Sequence, residues 1–422
     1  MMRVLWLCSL VLPDFSQEFG IKKVNTGGWM TGMLHALEKT CQVDISLCFP
    51  IYEKHRLKKG IYNNHRYYTF LCDSMEAYNN TMIESFEQIL EVSKPEVIHI
   101  WGSEFAHTTA MLWACKNKGI LNRAVISIQG LISVISKHYI ADVPEKYRML
   151  RVAGGTGIDE MVTSCEKRGN CEIESLKMVR HVIGRTDWDR ACTEAVNANI
   201  CYHFCDEILR DIFYECKGKW KYNECEKYSI FVSQAASPIK GFHYLLQALP
   251  LIIRKYPNTH VYAAGRNIFN IENKQPYIMY LNQLIDEFEL KEHISFLGRL
   301  NEEQMVKQYL KANVFVLPSA IENSSNSLNE AKIIGVPTVG AFTGGTSNRV
   351  VSGKDGFLYP HNEPALLAFY ICKIFRNEDD LCTKFSTNSV QQMTKFIEPK
   401  LNAERTLLIY ELVAKESVRG TV

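Results

Sequence analysis

Two carboxylates eight positions apart, Glu322 and Glu330, are the residues whose types and spacing best fit chemistry in this chain. They lie in PSAIENSSNSLNEAKIIGVP, residues 318–337. The apolar run Asn313–Leu317 predicts a strand before them, and a helix is predicted to start near Asn326. Glu322 then falls in the loop and Glu330 about one turn into the helix. An ionised carboxylate only accepts hydrogen bonds, so each glutamate suits a hydroxyl-bearing ligand. Between them Asn323, Ser324, Ser325, Asn326 and Ser327 are small and polar. Such residues let an anion reach the N–H groups of a helix start, where the dipole favours negative charge. The same residues also fit an ordinary capped helix with two surface glutamates.

A lysine extends the pattern. In FVSQAASPIKGFHYLLQAL, residues 231–249, a strand leads through Pro238-Ile239-Lys240-Gly241 into an amphipathic helix. A cation at a helix start opposes the dipole unless an anion is present, and an ammonium is a mobile point charge for phosphate. Lys240 is therefore the candidate phosphate ligand, with Gln234 upstream as a neutral donor and Arg266 or Arg299 as substitute cations. Gly344 and Gly345, in AFTGGT after another strand, allow positive φ and close backbone approach.

The first half carries weaker signals. Gly27-Gly28 open a predicted helix and suit a phosphate cradle, although the pattern is not GxGxxG. Glu104 and His107 follow a strand in WGSEFAHTT. Gln129 ends another strand in SIQGL and, being a glutamine, cannot act as a general base. Arg185 and Asp187 flank Thr186 in GRTDWDRAC.

These residues must be positioned by a scaffold, and the alternation of apolar runs with helical periodicity predicts an α/β fold with parallel sheets. Strands are expected near 3–11, 43–49, 96–101, 124–129 and 198–203, with the clearest helices at 28–39, 75–93 and 105–118. The polar stretch 214–227 reads as a linker between domains 1–213 and 228–396. A second alternating series follows it, and a last helix near 398–416 closes the chain. Length agrees with more than one domain: 422 residues exceed one ordinary core. Loops at the carboxyl ends of the strands are where such sheets bind ligands.

Composition narrows the classes. With 48 basic and 46 acidic residues the net charge is +2, which excludes polyanion binding as the main task, so no nucleic-acid partner is expected. Fourteen cysteines include no CxxC pair, and neither Cys165/Cys171 nor Cys201/His203/Cys205 has zinc-ligand spacing. They read as reduced thiols in a cytoplasmic protein with no metal site. Arg3 and the apolar Val4–Leu12 read as a first buried strand rather than an export signal, and no stretch is apolar enough to cross a membrane. The segment 54–66, with Lys54, His55, Arg56, Lys58, Lys59, His65 and Arg66, reads as an exposed basic loop. Such a loop suits an anionic membrane surface or a lipid-linked phosphate.

The Glu322–Glu330 segment resembles the signature of glycosyltransferase family 4: two glutamates eight positions apart on a strand-loop-helix. The Lys240-Gly241 pair fits the same family, and the organisation of nearly the whole chain agrees. The resemblance implies the GT-B architecture, two Rossmann-like domains facing across a cleft, with the final helix (397–422) crossing back to the first domain. It implies a retaining transferase that takes a sugar from a nucleotide diphosphate, with uridine diphosphate as default, and requires no cofactor. Glu322 would then hold donor-sugar hydroxyls, Glu330 the ribose and Lys240 the diphosphate, with Lys240 and Glu322 serving turnover. Gly344 and Gly345 would lie by the donor. Gly27, Gly28, Glu104, His107, Gln129, Arg185 and Asp187 would face the cleft on the acceptor side. The acceptor would be a glycan or a lipid-linked hydroxyl in surface polysaccharide synthesis, at the cytoplasmic face of the membrane. The chain departs from the family where an arginine usually follows the first strand of the donor domain and a histidine usually precedes Gly130. A sugar-nucleotide epimerase and a non-catalytic nucleotide-sugar binder are the competing classes.

Overall fold

The computed structural model describes residues 1–21, 27–52, 58–151, 157–269 and 275–419. The chain divides into two compact units. One comprises Met1–Ser136, Ser164–Ile208 and Ile397–Val422, and the other Lys137–Thr163 and Leu209–Phe396.

The first unit is built on strands β1 (Met2–Leu7), β2 (Val43–Ile51), β3 (Lys59–Tyr62), β4 (His65–Leu71), β5 (Val97–Trp101), β6 (Ala124–Ser127), β7 (His181–Gly184) and β8 (Cys201–Phe204). Their order is β3-β4-β2-β1-β5-β6-β7-β8. Every pair is parallel except the β3–β4 hairpin. The central strands are apolar runs buried on both faces, as a parallel sheet covered by helices requires.

Strands β9 (Ser229–Val232), β10 (His260–Ala263), β11 (Ile294–Phe296), β12 (Val314–Leu317), β13 (Thr338–Ala341) and β14 (Phe357–Tyr359) form the second sheet. Its order is β11-β10-β9-β12-β13-β14 with every pair parallel. This is the doubly wound Rossmann order 3-2-1-4-5-6, whose switch point lies between its first and fourth strands. Here those strands are β9 and β12.

The final helix, Pro399–Arg419, belongs to the first unit and packs on the helix Gly28–Glu38. Its Tyr410 is fully buried. The Tyr410 hydroxyl accepts from Trp6 Nε1 at 2.9 Å and lies 2.6 Å from His99 Nδ1. Burial lowers the His99 pKa to about 3, so the ring is neutral. Its Nε2 reaches Ser127 Oγ at 2.7 Å. A consistent proton order follows: Trp6 gives to Tyr410, Tyr410 to His99 Nδ1, and His99 Nε2 to Ser127.

The structure differs from the sequence reading in four places. The expected basic loop is largely the β3–β4 hairpin, where His65 meets Glu38 at 2.6 Å and Arg66 pairs with Asp44. Lys54, His55 and Arg56 lie outside the described residues. Strand β7 was not anticipated, because four residues ending in glycine carry little periodicity. Residues 214–227, expected as a linker, are part of the second unit. Gly218 and Trp220 donate backbone N–H groups to Ile333 and Ile334 carbonyls, and the buried Trp220 donates Nε1 to Ala312 O at 2.8 Å. Lys137–Thr163 also belongs to the second unit, where Asp142 accepts from Tyr244 Oη at 2.8 Å and the Tyr147 ring lies tilted against Tyr280. The fourteen cysteines are all unbridged. Among the described residues no helix is long and apolar enough to cross a membrane.

The Tyr410 chain gives a direct test. Tyr410→Phe leaves Trp6 Nε1 and His99 Nδ1 buried without this partner, at a cost of about 1–3 kcal/mol. Denaturant titration should show a lower midpoint, while Leu408→Ala on the exposed face of the same helix changes little.

Candidate functional site

The site is assembled at the switch point of the second sheet. The chain leaving β9 makes a short turn of helix, Pro238–Lys240, and Gly241 then reverses it at φ +66° into the helix Phe242–Ile253. The chain leaving β12 runs through Pro318–Ser325 into the helix Asn326–Ile334. Ala320 N donates to Ile239 O at 2.8 Å, tying the two loops together. Gly241 is needed for this approach, since a Cβ there would lie 1.9 Å from Pro318 O. Gly344 does the same on the other side. At φ +49°, its Cβ would lie 2.0 Å from Glu322 O, the carbonyl that accepts from Gly345 N at 2.9 Å. Thr343 Oγ1 also donates to Ser319 O at 3.0 Å. The Glu322 loop is thus clamped between two glycine-dependent backbone contacts.

The clamp brings the two expected side chains together. Lys240 Nζ lies 2.6 Å from Glu322 Oε1, and Ser319 Oγ donates to the same oxygen at 2.8 Å. Lys240 remains partly exposed, and an ammonium has three donors, so this contact leaves two for another anion.

Asn323 and Ser324 are buried rather than presented to solvent. Ser324 Oγ accepts from the fully buried Arg349 Nε at 3.0 Å, which fixes the loop. Ser325 is the N-cap of the following helix but gives it no side-chain cap. Its hydroxyl instead lies 2.9 Å from Ser327 Oγ, which is 2.9 Å from Ser233 Oγ. The N–H groups of the first turn therefore lack the usual side-chain acceptor. Among the described residues Asn326 Oδ1 is buried without a hydrogen-bond partner.

Glu330 is nearly buried. Its two oxygens meet Arg210 Nη2 at 3.2 Å and the Tyr309 hydroxyl at 3.1 Å. Burial raises its pKa, and the Arg210 charge opposes that rise. Arg210 and Tyr309 had no sequence signal, because each is remote from Glu330 along the chain. Gln234 is exposed just after β9, and Arg266 and Arg299 are exposed after β10 and β11. A cavity of about 390 Å³ in the same unit borders the loop at Ala320. Lys137, His138, Arg148 and His361 line it with Asp142, and sequence reasoning named none of them.

In the first unit the candidates do not form one cluster. Gly27, at φ +85°, is the N-cap of the helix beginning at Gly28, as expected of a glycine opening. Glu104 follows β5, a strand at that sheet's own switch point. Burial raises its pKa to about 7, with Glu172 adding to the rise, and Oε2 has no hydrogen-bond partner among the described residues. His107 points into the core, 1% exposed, stacked on Phe105 and tilted against Phe70. That burial corrects its reading as an acceptor contact, and it lowers the ring's pKa to about 3. Arg185 is also buried, paired with Glu207 at 2.6 Å and donating to the Ile128 and Gln129 carbonyls. It holds the β6 and β7 loops together rather than presenting charge. Gln129 and Arg185 line a cavity of only about 20 Å³, room for a water and not for a sugar. Asp187 is exposed at the start of its helix, where Thr186 and Asp189 form the capping box.

Residues 215–392 match the family model described as Glycosyl transferases group 1. The chain is 25% identical over 195 residues to the putative glycosyltransferase YtcC of Bacillus subtilis, covering 46% of this chain and 47% of that protein. It is 28% identical over 144 residues to the D-inositol 3-phosphate glycosyltransferase of Corynebacterium urealyticum, 33% of each chain. The matches thus span less than half the length of these curated relatives. By fold the likeness is fuller. The sucrose-phosphate synthase of Thermosynechococcus elongatus superposes with a TM-score of 0.71 at 14% identity, over 98% of this chain and 99% of that one. Anabaena HepE in complex with UDP and glucose gives 0.67 at 14% identity, over 97% and 100%. The chain is thus similar in sequence to group 1 glycosyl transferases over residues 215–392, and it shares the GT-B fold of the solved structures over nearly its whole length.

Two outcomes follow from the geometry. Gly241→Ala and Gly344→Ala combine positive φ with a backbone clash, so each should lower stability by more than about 1 kcal/mol in denaturant titration. Glu104 holds its proton in the folded chain up to about pH 7, whereas a free carboxyl loses it near 4.5. Its contribution therefore favours the fold below 4.5 and is lost as pH rises through about 7. Plotted against pH, the melting temperature of Glu104→Gln relative to wild type should rise across that window.

Proposed function

We propose that the chain is a retaining glycosyltransferase of the family 4 type, moving a sugar from a nucleotide diphosphate to an acceptor hydroxyl. The observation that carries this reading is the Lys240–Glu322 pair, 2.6 Å apart on the two loops at the switch point of the second sheet. A nucleotide diphosphate sugar presents the complementary sequence of groups. Lys240 keeps one donor on Glu322 and turns the others to the diphosphate. The first-turn N–H groups of the helix Asn326–Ile334 meet the same charge. Glu322 Oε2 is left to accept from sugar hydroxyls. Glu330, steadied by Arg210 and Tyr309, accepts from the ribose with its remaining lone pairs. Uridine diphosphate is our choice of donor carrier, supported by the UDP and glucose with which the similarly folded HepE was solved.

Glu322 is engaged by Lys240 and Ser319, which makes it a poor covalent nucleophile. We therefore favour attack on the same face as the departing diphosphate, whose oxygen takes the acceptor's proton. The C1–O bond to phosphate breaks as the C1–O bond to the acceptor forms. The protein supplies positioning and stabilises the charge on the leaving group. For the acceptor we propose a glycan or lipid-linked hydroxyl in surface polysaccharide synthesis, with the enzyme in the cytoplasm. The related WcaL of Salmonella typhimurium is named as a putative colanic acid biosynthesis glycosyltransferase, which supports that choice.

A panel of nucleotide sugars, screened by thermal shift and then offered with acceptors, tests the reading. One donor should raise the melting temperature and lose its sugar only when acceptor is present, with the anomeric configuration kept by NMR. Lys240→Ala and Glu322→Gln should each lose at least about a hundredfold in kcat while remaining folded. Full activity in either sinks the assignment. An epimerised donor formed without acceptor marks an epimerase, and binding without turnover over the panel marks a binding protein.

A further inference from the structure

A second cluster of reactive side chains lies in the first unit, outside the candidate donor site. Strands β7 and β8 pair in parallel with His181 opposite Cys201 and Ile183 opposite His203. Residues two apart on a strand share a face, so Cys201 and His203 project on the same side as each other. One ligand atom from each of His181, Cys201 and His203 falls within 4.8 Å of the other two. The two imidazoles are stacked with 5.3 Å between centroids, and His181 Nδ1 faces His203 Nε2 at 3.1 Å. The second nitrogen of His181 lies 3.3 Å from Glu416 Oε2 on the final helix.

We propose that His181, Cys201 and His203 form a zinc site at the β7–β8 edge of the sheet, with Glu416 orienting His181. The donor set is two imidazoles and a thiolate, a combination that takes borderline-soft divalent metals and not magnesium or calcium. A carboxylate behind a ligating histidine orients it, and Glu416 Oε2 is the carboxylate on that side, 3.3 Å from His181 Nε2 but not aligned for a hydrogen bond. In the tautomer that puts the proton of the 3.1 Å contact on His203 Nε2, the His181 Nδ1 lone pair accepts it. Metal entry requires His203 to move that proton to Nδ1, which exposes a second lone pair. The Cys201 thiol loses its proton, so one proton is released for each metal bound.

Geometry and charge are both compatible. At tetrahedral zinc the ligand atoms sit roughly 3.3–3.6 Å apart. The imidazole nitrogens are already near that spacing, and the half-buried Cys201 offers its thiol within 4.8 Å of both. Arg180, 2.9 Å from Glu416 Oε2, is the nearest cation, and Glu416 offsets its charge. A bound metal would cross-link the outer two strands of the sheet and, through Glu416, tie them to the final helix. The spacing Cys201-x-His203 has no zinc pattern in sequence, because the third ligand arrives from the neighbouring strand.

Zinc titration of the metal-stripped full chain against a chromophoric chelator tests the site, with cobalt as the spectroscopic probe. We expect one metal per chain, one proton released, a cobalt–thiolate charge-transfer band in the near ultraviolet and a rise in melting temperature on adding zinc. Cys201→Ser and His203→Gln should each weaken zinc at least about tenfold. Cys201→Ser should also abolish the charge-transfer band, whereas Cys41→Ser, at an exposed cysteine elsewhere, retains all four signals. Both ligand positions are only half-buried, and if one variant fails to fold the other carries the test. No zinc competition by wild type, or wild-type affinity in both variants, overturns the proposal.

Discussion

The candidate donor site depends on two places where backbone meets backbone without room for a side chain. Gly241 brings the turn after β9 against the Pro318 carbonyl, and Gly344 brings the turn after β13 against the Glu322 carbonyl. Each contact needs a left-handed residue lacking Cβ, and together they hold the Glu322 loop from both sides. The Lys240–Glu322 distance is a consequence of this clamp. Without it, a lysine and a glutamate on two flexible loops would spend side-chain entropy to meet, as exposed ion pairs do. With it, charge and acceptor are fixed before any ligand arrives, which is the condition for electrostatic stabilisation of a leaving diphosphate.

The clamp also explains why polar groups are buried around it. Arg349, fully buried, holds Ser324 from behind, and Arg210 and Tyr309 hold Glu330. Leaving such groups unpaired is costly, so each is matched by a partner that also sets a loop position. In the first unit the equivalent economy is the run from Trp6 through Tyr410 and His99 to Ser127, which uses one tyrosine of the last helix to satisfy two strands. Arg185 acts similarly, satisfying carbonyls of the β6 loop while paired with Glu207. Its burial was not legible, because sequence cannot separate a buried arginine from an exposed one.

What was legible in the sequence was local. The strand-loop-helix around Glu322 and Glu330, the turn at Lys240-Gly241 and the glycine pair at 344–345 carry their signals within a few residues. All fall where their local chemistry placed them. The last helix and most of both alternating series were equally plain, although β4, β7 and β14 were missed. Non-local features were not. Residues 214–227 looked like a linker because they lack periodicity, yet their backbone N–H groups pair with carbonyls more than 80 positions away. The β3–β4 hairpin was hidden by its basic residues, of which His65 meets Glu38 and Arg66 pairs with Asp44 on other elements. His107 shows the same limit in reverse, since a histidine on a helix after a strand has no local mark of facing the core.

Both sites argued from this structure have one origin. A parallel sheet sets side chains from distant segments in register and presents loop after loop at the same end of the strands. In the second sheet that principle places Lys240 and Glu322, 82 positions apart, in contact across the β9–β12 switch point. In the first it aligns His181 with Cys201 and brings His203 against His181 across the β7–β8 pair. The difference lies in what surrounds them. The Lys240–Glu322 pair sits on loops beside a helix start without a side-chain cap, and the proposed anion site rests on that arrangement. The histidine–cysteine cluster sits on the strands themselves, where three ligand atoms converge within 4.8 Å of one another. One scaffold rule thus underlies both the loop site proposed for sugar transfer and the strand site proposed for a metal.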